Sequence, residues 1–503
     1  MKKTSRLFAL VLAVLLIAAG CTSKNGESTP STQTGGDAAS IASSVDTEGP
    51  LEGDVIIAVN TNDSIEELLS VGILPSDDGD YSKFEDLKVF TGIPLGSPDA
   101  NLTIDNDRQV VGKKNPEKTY NVGEKKNFKT IDFYKRMMQS SGDPDFANYD
   151  VSERLDAEIE MVYAGKYCTV WGQVSPIHGR PDLSLALDEE MAKKIANEFD
   201  DKTFGIVTNT FGPLFDVDKD GKFAIVCADF VDYYNYGVYE NYFLQGYCNP
   251  VDDSASVENG GNGMEMDMMV LDIWPTLYNE KGEPAEENWM VALQTVAHEM
   301  QHYANFSATN FYPIEALDSW IQESFSTLSE SLYKGKVADD TFGFYKKDSS
   351  SVIANGRSPM QFQGKMEDYA LVNLFSLYLY EQTKNFEGGG FEIFRKIIED
   401  PAHDYVAIEN ALKGISYPVT KFSDLLFNFR VAIIANEDSG IYSFNKNENV
   451  QNLPIHFYKN ADGQVDSKTL AGGAAIVFKN VEGGFKPQGN DANVKFAGIT
   501  LAK

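Results

Sequence analysis

The pentad HEMQH at residues 298–302 constrains this chain more than any other part of its sequence. Only five histidines occur in 503 residues, and two of them, His298 and His302, stand four positions apart here. Residues at this spacing lie one turn apart on the same face of a helix, so both imidazoles can bind one metal ion from the same side. Glu299 projects beside them, where its carboxylate can take a proton from a metal-activated water. The alternative is a helix that carries two histidines in its core or on its surface.

The residues around the pentad predict the helix that this geometry requires. Residues 284–287 contain a proline and two acids, which a first helical turn favours, and an apolar stripe with helical spacing starts at Trp289. Asn305 and the polar residues after Phe306 predict the end of the helix. A catalytic zinc usually has three protein ligands and one position open to water. A third ligand must therefore come from another part of the chain.

The stretch 314–334 predicts a second helix, because it contains neither proline nor glycine. Glu323 follows a loop and two turns of this helix, where its carboxylate can complete the site, and Ser324 and Thr327 are expected to face the first helix with it. The other acids that could serve are Glu315, Asp318 and Glu330, of which Glu315 is too near the turn and Glu330 lies about two turns further along. A solvated helix carboxylate is the alternative for Glu323 taken alone.

The segments HEMQHYANF, from His298, and SWIQESFSTLSE, from Ser319, resemble the gluzincin pattern and, more narrowly, the hyicolysin-like neutral metallopeptidases of bacteria. The resemblance extends over about 120–381, where VGEKKNFKTID, FGPLFDVDKDGKFAIVCADF and MEMDMMVLD occur in the order of that family. It implies an α+β fold, with a zincin-like catalytic domain of a twisted sheet plus active-site helices, flanked by β-rich regions. It also implies His298, His302 and Glu323 as zinc ligands and Glu299 as general base. The chain has Ser324 where family members usually have glycine.

The same resemblance implies a residue that stabilises the oxyanion of the tetrahedral intermediate. Gluzincins usually provide a tyrosine or histidine from a later helix, and Tyr369, near the start of EDYALVNLFSLYLYEQ, is similar in position to that tyrosine. His403 is a second candidate, and a packed aromatic side chain is the alternative for Tyr369. Residues 266–273 predict a short buried strand. In zincin folds such a strand is a sheet edge to which a peptide substrate adds, whereas an ordinary core strand is the alternative.

The first 20 residues predict a lipoprotein signal peptide, with a basic start, an apolar core and small residues before Cys21. These small residues resemble a bacterial lipobox, which predicts an exported protein lipidated at Cys21 and anchored to a bacterial membrane, with its catalytic body extracytoplasmic. A cleaved signal peptide followed by an unmodified cysteine is the alternative. Residues 21–50 are rich in Ser, Thr, Gly and Ala and predict a flexible tether.

The remaining residues are too many for one hydrophobic core, so several domains are expected. Residues 51–145 predict a mixed, β-rich N-terminal region, residues 146–440 the metallopeptidase domain and residues 441–503 a small C-terminal β module.

The formal net charge is −32, with an isoelectric point of about 4.5. This charge argues against nucleic acid as a partner and against electrostatic adhesion to anionic lipids, because both need a basic surface. It is compatible with an exported protein that binds divalent cations.

Asp216, Asp218 and Asp220, followed by Gly221, have the spacing that opens an EF-hand calcium loop. Position twelve of such a loop would be Cys227 instead of glutamate, so the EF-hand is incomplete. A shortened calcium loop, with Asp229 as an extra ligand, and a solvated acidic turn remain as the two interpretations.

Three cysteines remain after Cys21, namely Cys168, Cys227 and Cys248. An odd number allows at most one disulfide, and the strand-like segments around Cys168 and Cys227 favour buried free thiols. A cysteine nucleophile is a weaker interpretation, because no histidine is tied to any of them by a sequence pattern.

The sequence therefore predicts a lipid-anchored zinc endopeptidase that acts on protein or peptide substrates. An inactive zincin-like surface lipoprotein with a binding or adhesion role is the alternative, although it would have no need for Glu299 between two metal ligands. Another zinc hydrolase with the same metal geometry also fits the residues.

Overall fold

The computed structural model describes residues 42–43, 51–65, 69–71, 117–133, 154–174, 187–232, 234–235, 243–279, 281–286, 288–335, 356–447, 450, 468–480 and 493–500. The predicted signal peptide, Cys21 and most of the predicted tether lie outside these residues. None of the helices described has both the length and the apolar character needed to cross a bilayer. The described residues form two compact units. Unit 1 contains residues 117–335 and 362–422, and unit 2 contains residues 42–71, 356–361 and 423–500.

Among the described elements, the first six are strands, helices and strands are then interspersed as far as the strand Met268–Asp272, six α-helices follow, and the last three elements are strands. The strands are β1 (Ala42–Ser43), β2 (Val55–Asn60), β3 (Leu69–Val71), β4 (Lys125–Thr130), β5 (Leu155–Ala164), β6 (Cys168–Gln173), β7 (Phe223–Ala228), β8 (Gly246–Tyr247), β9 (Met268–Asp272), β10 (Lys468–Leu470), β11 (Ala475–Lys479) and β12 (Val494–Ile499). The α-helices are α1 (Glu189–Glu198), α2 (Phe204–Phe211), α3 (Pro250–Asp253), α4 (Trp289–Phe311), α5 (Ser319–Lys334), α6 (Met366–Thr383), α7 (Glu392–Ile398), α8 (Tyr405–Gly414) and α9 (Phe422–Ala435). A π-helical turn, Phe199–Thr203, joins α1 to α2.

Unit 1 contains a mixed sheet with the strand order β4-β5-β6-β7-β9-β8. The central strands β6, β7 and β9 are parallel, whereas β4, β5 and β8 pair with their neighbours in antiparallel orientation. Every residue of β7 (FAIVCA) and β9 (MMVLD) is buried, as expected for strands covered on both faces. The mixed sheet together with the helices confirms the predicted α+β class.

The prediction that residues 266–273 form the edge of the sheet is wrong. Strand β9 lies between β7 and β8, so the alternative of a core strand is the one observed. The edge is β8, which contains only two residues and pairs Gly246 with Leu271 and Tyr247 with Val270.

Helix α4 begins and ends later than its sequence predicts. Pro284 pairs with Tyr278 in an isolated β-bridge instead of opening the helix, and the Asn288 side chain donates to the Pro275 carbonyl just before the first turn. The helix continues beyond Asn305 because the polar side chains there have partners within the fold. Ser307, for example, donates to the carbonyl of Tyr303, 2.7 Å away. This gives a helix of 23 residues with the pentad near its middle.

Unit 2 contains an antiparallel sheet with the strand order β1-β12-β2-β11 and a separate pair of strands, β10 and β3. Ile56, Ala58, Ile476 and Phe496 belong to its buried core. The sequence placed these strands in separate regions, 51–145 and 441–503, and Ala42–Ser43 near the end of the tether. In the structure, all three segments contribute strands to one sheet.

Candidate metal centre

Three donor side chains converge between α4 and α5. The Nε2 atoms of His298 and His302 are 3.2 Å apart, and the Glu323 carboxylate lies 3.4 Å from the first and 3.7 Å from the second. The ligands of a tetrahedral zinc, at about 2.0–2.1 Å from the ion, are separated by roughly 3.3 Å. Each of the three side chains is at most 5% exposed. Two imidazoles and a carboxylate at these separations fit zinc, as the pentad predicted.

Hydrogen bonds from buried serine hydroxyls connect α5 to α4, the two helices that carry the three donor side chains. Ser329 of α5 donates to the Ala297 carbonyl of α4, at 2.8 Å, and Ser326 donates to the Gln301 side chain, at 2.6 Å. The expectation that Ser324 faces α4 is wrong, because its hydroxyl donates to the Val372 carbonyl of α6. The serine hydroxyls of α5 thus donate hydrogen bonds on two sides of the helix, to α4 on one side and to α6 on the other.

Glu330 lies against the ring nitrogen of His298 that faces away from the other donors. Its Oε1 is 2.6 Å from Nδ1 of His298, and its side chain is 7% exposed. Glu330 is therefore not an alternative ligand but the residue that orients the His298 ring, a common arrangement behind metal-bound histidines. The sequence held a signal for this role, because positions seven apart, such as Glu323 and Glu330, share one helix face.

Glu299 is fully buried beside the three donors. Burial raises the pKa of its carboxyl to about 8, against the opposing charge of His298. The Cys248 backbone N–H approaches the carboxylate, but neither oxygen has a regular hydrogen-bond partner among the described residues. This carboxylate has the position and the unused acceptor capacity that a general base requires.

The histidines differ in their protonation behaviour. Burial and the charge of His298 hold the pKa of His302 well below its usual value, which favours the neutral, metal-binding form. Burial also lowers the pKa of His298, but the hydrogen bonds to Glu323 and Glu330 outweigh this effect and raise it well above its usual value. The upward shift of the His298 pKa thus comes from the two carboxylates at its ring, Glu323 and Glu330.

Tyr369 lies beside the donors, and His403 lies elsewhere. Helix α6 places the Tyr369 ring 6.4 Å from the His298 ring, packed edge-on against Phe362, and the tyrosine is 4% exposed. The half-exposed side chain of His403 pairs instead with Glu315, at 3.5 Å. The structure therefore brings the first oxyanion candidate to the centre and leaves the second in the loop between α7 and α8, beside Glu315.

No family model matches the chain. A stretch of 304 residues is 30% identical to the neutral metalloprotease ShpI of Staphylococcus hyicus, covering 59% of this chain and 63% of ShpI. This chain is a relative of the neutral zinc metallopeptidases. The relationship holds at the level of the family and confirms the resemblance seen around the pentad. The match spans less than two thirds of the length of ShpI.

This chain also contains a second group of acids, which differs from the set of aspartates that the sequence predicted as calcium ligands. Carboxylate oxygens of Asp216, Asp218 and Asp267 lie within 4.8 Å of one another. Asp220 is not part of this group, and its Oδ1 accepts a hydrogen bond from the backbone N–H of Lys222. Asp229 accepts from Asn235 instead. Sequence reasoning missed Asp267, which immediately precedes β9, although β7 and β9 are parallel and their preceding loops must meet at one end of the sheet.

The three cysteines are buried free thiols, as their surroundings predicted. Burial raises the pKa of the Cys227 thiol far above its usual value, and the same holds for Cys168 and Cys248. A nucleophilic cysteine needs a lowered pKa, so these residues act as small core side chains.

Proposed function

We propose that this chain is a zinc-dependent endopeptidase, lipid-anchored at a bacterial cell surface, with Glu299 as its general base. The observation that carries the proposal is the convergence of His298, His302 and Glu323 around one point, with the buried Glu299 carboxylate beside it. The relationship to ShpI, which is named a neutral metalloprotease, supports both zinc and peptide-bond hydrolysis.

Zinc held by these ligands supplies Lewis acidity, which polarises a carbonyl group and lowers the pKa of water. Glu299 takes the proton from the attacking water and delivers it to the leaving amine. The hydroxyl of Tyr369, which lies beside His298, donates a hydrogen bond to the carbonyl oxygen that becomes negative in the tetrahedral intermediate. Glu330 keeps the His298 ring in the orientation and tautomer that metal binding needs.

The edge strand β8 supports a peptide as the substrate. An added Cβ at Gly246 would lie 3.5 Å from Cγ of Glu299, so this edge runs directly past the general base. An extended peptide that pairs with an open edge gains affinity from backbone hydrogen bonds, which any sequence can form. Such binding suits an endopeptidase with protein or peptide substrates.

The variant Glu299→Gln tests the mechanism, with zinc content and casein hydrolysis measured on the same sample. We expect about one zinc per chain and hydrolysis reduced by about 10²- to 10⁴-fold, because the amide cannot accept the proton. Tyr369→Phe should also keep its zinc and lose kcat by about 10²-fold, with little change in KM. Glu258→Gln, at an exposed glutamate, is the control. Unchanged hydrolysis by Glu299→Gln would contradict the mechanism, and an inactive native chain with bound zinc would favour an adhesion role.

Cys21 provides the test of membrane anchoring. The signal-like residues 1–20 and the small residues before Cys21 support lipidation at this position. In a bacterial host, the native chain should fractionate with membranes, and Cys21→Ser should appear in the soluble exported fraction with its hydrolytic activity intact. Membrane retention of Cys21→Ser would contradict the lipid anchor.

A further inference from the structure

Asp216, Asp218 and Asp267 form an acidic group that the peptidase mechanism does not use. Asp216 and Asp218 precede β7, and Asp267 precedes the parallel strand β9, so two loops at one end of the sheet bring the three carboxylates together. Asp216 and Asp267 are each 1% exposed, and Asp218 is partly buried. Placing several buried carboxylates so close together costs free energy unless a cation or protons compensate their charge.

Asp267 has acceptor capacity that the protein leaves unused. Its Oδ1 accepts a hydrogen bond from the backbone N–H of Val217, at 3.1 Å. Its Oδ2 is buried and accepts no hydrogen bond from the part of the chain that the structure describes. Burial raises the pKa of Asp267 well above its usual value, and the charges of Asp218 and Asp216 raise it further. A buried carboxylate oxygen without a hydrogen-bond donor requires an explanation, and a bound ion is one such explanation.

The lysines near this group are engaged with other acceptors. Lys126 donates its Nζ to the Met264 carbonyl, at 3.0 Å, and Lys222 donates to the Gly165 carbonyl. Lys219, within the loop, points to Glu117, at 3.2 Å. None of these three ammonium groups forms an ion pair with Asp267 among the described residues. The charge of Asp267 is therefore not compensated by these lysines.

We propose that Asp216, Asp218 and Asp267 bind a calcium ion. The donors are all oxygens, which suits a hard cation and disfavours zinc, whose sites usually include nitrogen or sulfur donors. Gly221, with φ of +76°, and Lys219, with φ of +61°, turn the loop so that it wraps around the group. Asp267, which precedes β9, replaces the third aspartate of the loop, Asp220, which the sequence pattern alone would have chosen.

The calcium ion would stabilise the helix that carries the zinc ligands. Tyr303, the residue after His302, donates its hydroxyl to the Phe215 carbonyl, at 2.9 Å. The backbone N–H of Phe215 donates to the Ser307 hydroxyl, also at 2.9 Å. Both main-chain groups of the residue before Asp216 are thus bonded to α4. An ion that fixes this loop therefore fixes its attachment to α4.

The test uses the full chain carrying Glu299→Gln and one zinc, because an inactive protein cannot digest itself. Calcium binding is measured by isothermal titration calorimetry and by the thermal unfolding midpoint, with Mg²⁺ at equal ionic strength as reference. We expect calcium to raise the midpoint by several degrees and Mg²⁺ to act only at much higher concentration. An equal effect of the two ions overturns the assignment to calcium.

Three added substitutions identify the ligands. Asp267→Asn and Asp216→Asn should each weaken calcium binding at least about tenfold, whereas Asp220→Asn, in the same loop, should weaken it by less than about threefold. Without calcium, Asp267→Asn should unfold at or above the temperature of its parent, because it removes a repelling charge, which also shows that it folds. Unchanged calcium binding in Asp267→Asn and Asp216→Asn overturns the proposal. An equal loss in Asp220→Asn overturns this ligand set.

Discussion

Glu330 acts on the metal centre through the ring of His298. A carboxylate that accepts from Nδ1 leaves Nε2 as the lone-pair nitrogen and makes it a stronger donor to a metal ion. Because Glu323 and Glu330 lie on the same face of α5, one helix supplies both a ligand and the group that orients another ligand. The position of α5 against α4 therefore determines two features of the centre at once.

Glu330→Ala should weaken zinc binding by about 10- to 100-fold, because the His298 ring loses its orienting partner. The zinc dissociation constant is measured by competition with a chromogenic chelator. At saturating zinc, casein hydrolysis should decrease by a much smaller factor than the affinity for zinc. Glu315→Ala is the control, since Glu315 lies exposed in the loop before α5 and pairs with His403. Native zinc affinity in Glu330→Ala would show that Glu330 is not an orienting residue.

The sequence pointed to His298, Glu299 and His302 because residues four apart in a helix always lie on the same face. Glu323 drew on the family resemblance as well, since the stretch 314–334 also contains Glu315, Asp318 and Glu330. The role of Glu330 depended on whether its carboxylate lies at the position of the ion or against Nδ1 of His298. These two positions differ by a few ångströms, which sequence spacing cannot resolve. Asp267 depended on strand pairing, which joins residues distant in the chain.

At the level of elements, β8 and α4 are in direct contact next to Glu299. The Thr295 hydroxyl of α4 donates to the side chain of Gln245, which precedes β8, at 3.0 Å. An added Cβ at Gly246 would lie 2.5 Å from Cγ2 of Thr295 and 3.2 Å from the Val270 carbonyl oxygen. Glycine at this position therefore allows the edge strand to approach the helix closely.

Gly246→Ala should displace β8 from α4 and reduce both hydrolysis and stability. We expect a loss of about 1–3 kcal/mol in the free energy of unfolding, typical of an overpacked site. Chemical denaturation and casein hydrolysis check this outcome. Gly205→Ala is the matched control, because Gly205 lies in α2 with open space around it and alanine favours the helix. A Gly246→Ala variant with native activity and stability would contradict the close contact.

The sequence predicted the helices well and the order of the strands poorly. The apolar periodicity of α4 and α5 marks the helices themselves, but their ends depend on contacts such as the bridge between Tyr278 and Pro284. Strand β8 contains two residues, too few to show any periodicity. The position of β9 inside the sheet follows from its pairing with β7 and β8, and its apolar composition fits an edge or a core strand equally well.

At the level of the whole chain, unit 2 is built from segments that lie far apart in the sequence. Strand β2 pairs on one side with β11 and on the other with β12, so that Ile57 lies opposite both Val477 and Ala497. Composition alone divided these segments into separate regions, because nothing in a single strand identifies its partner. Each strand of this sheet therefore depends on residues from the other end of the described chain.

Gly498→Ala should destabilise the sheet of unit 2. An added Cβ at this position would overlap the carbonyl oxygen of Glu52, which is a backbone atom and cannot turn away. We expect a loss of about 2–4 kcal/mol, in the range of strained backbone or overpacked substitutions. Hydrogen exchange of the β2 and β12 amides should accelerate accordingly, with Gly205→Ala again as the control. Native protection of these amides in Gly498→Ala would contradict the packing described here.

The central position of β2 has a consequence for biosynthesis. At about 5–20 residues per second, a ribosome needs on the order of tens of seconds to proceed from Asn60 to Ala475. During that interval the nascent segment VIIAVN has neither neighbour, and both of its edges are open to pairing with other polypeptides. Protection of this segment until translation reaches β11 and β12 is therefore a requirement for producing the chain without aggregation.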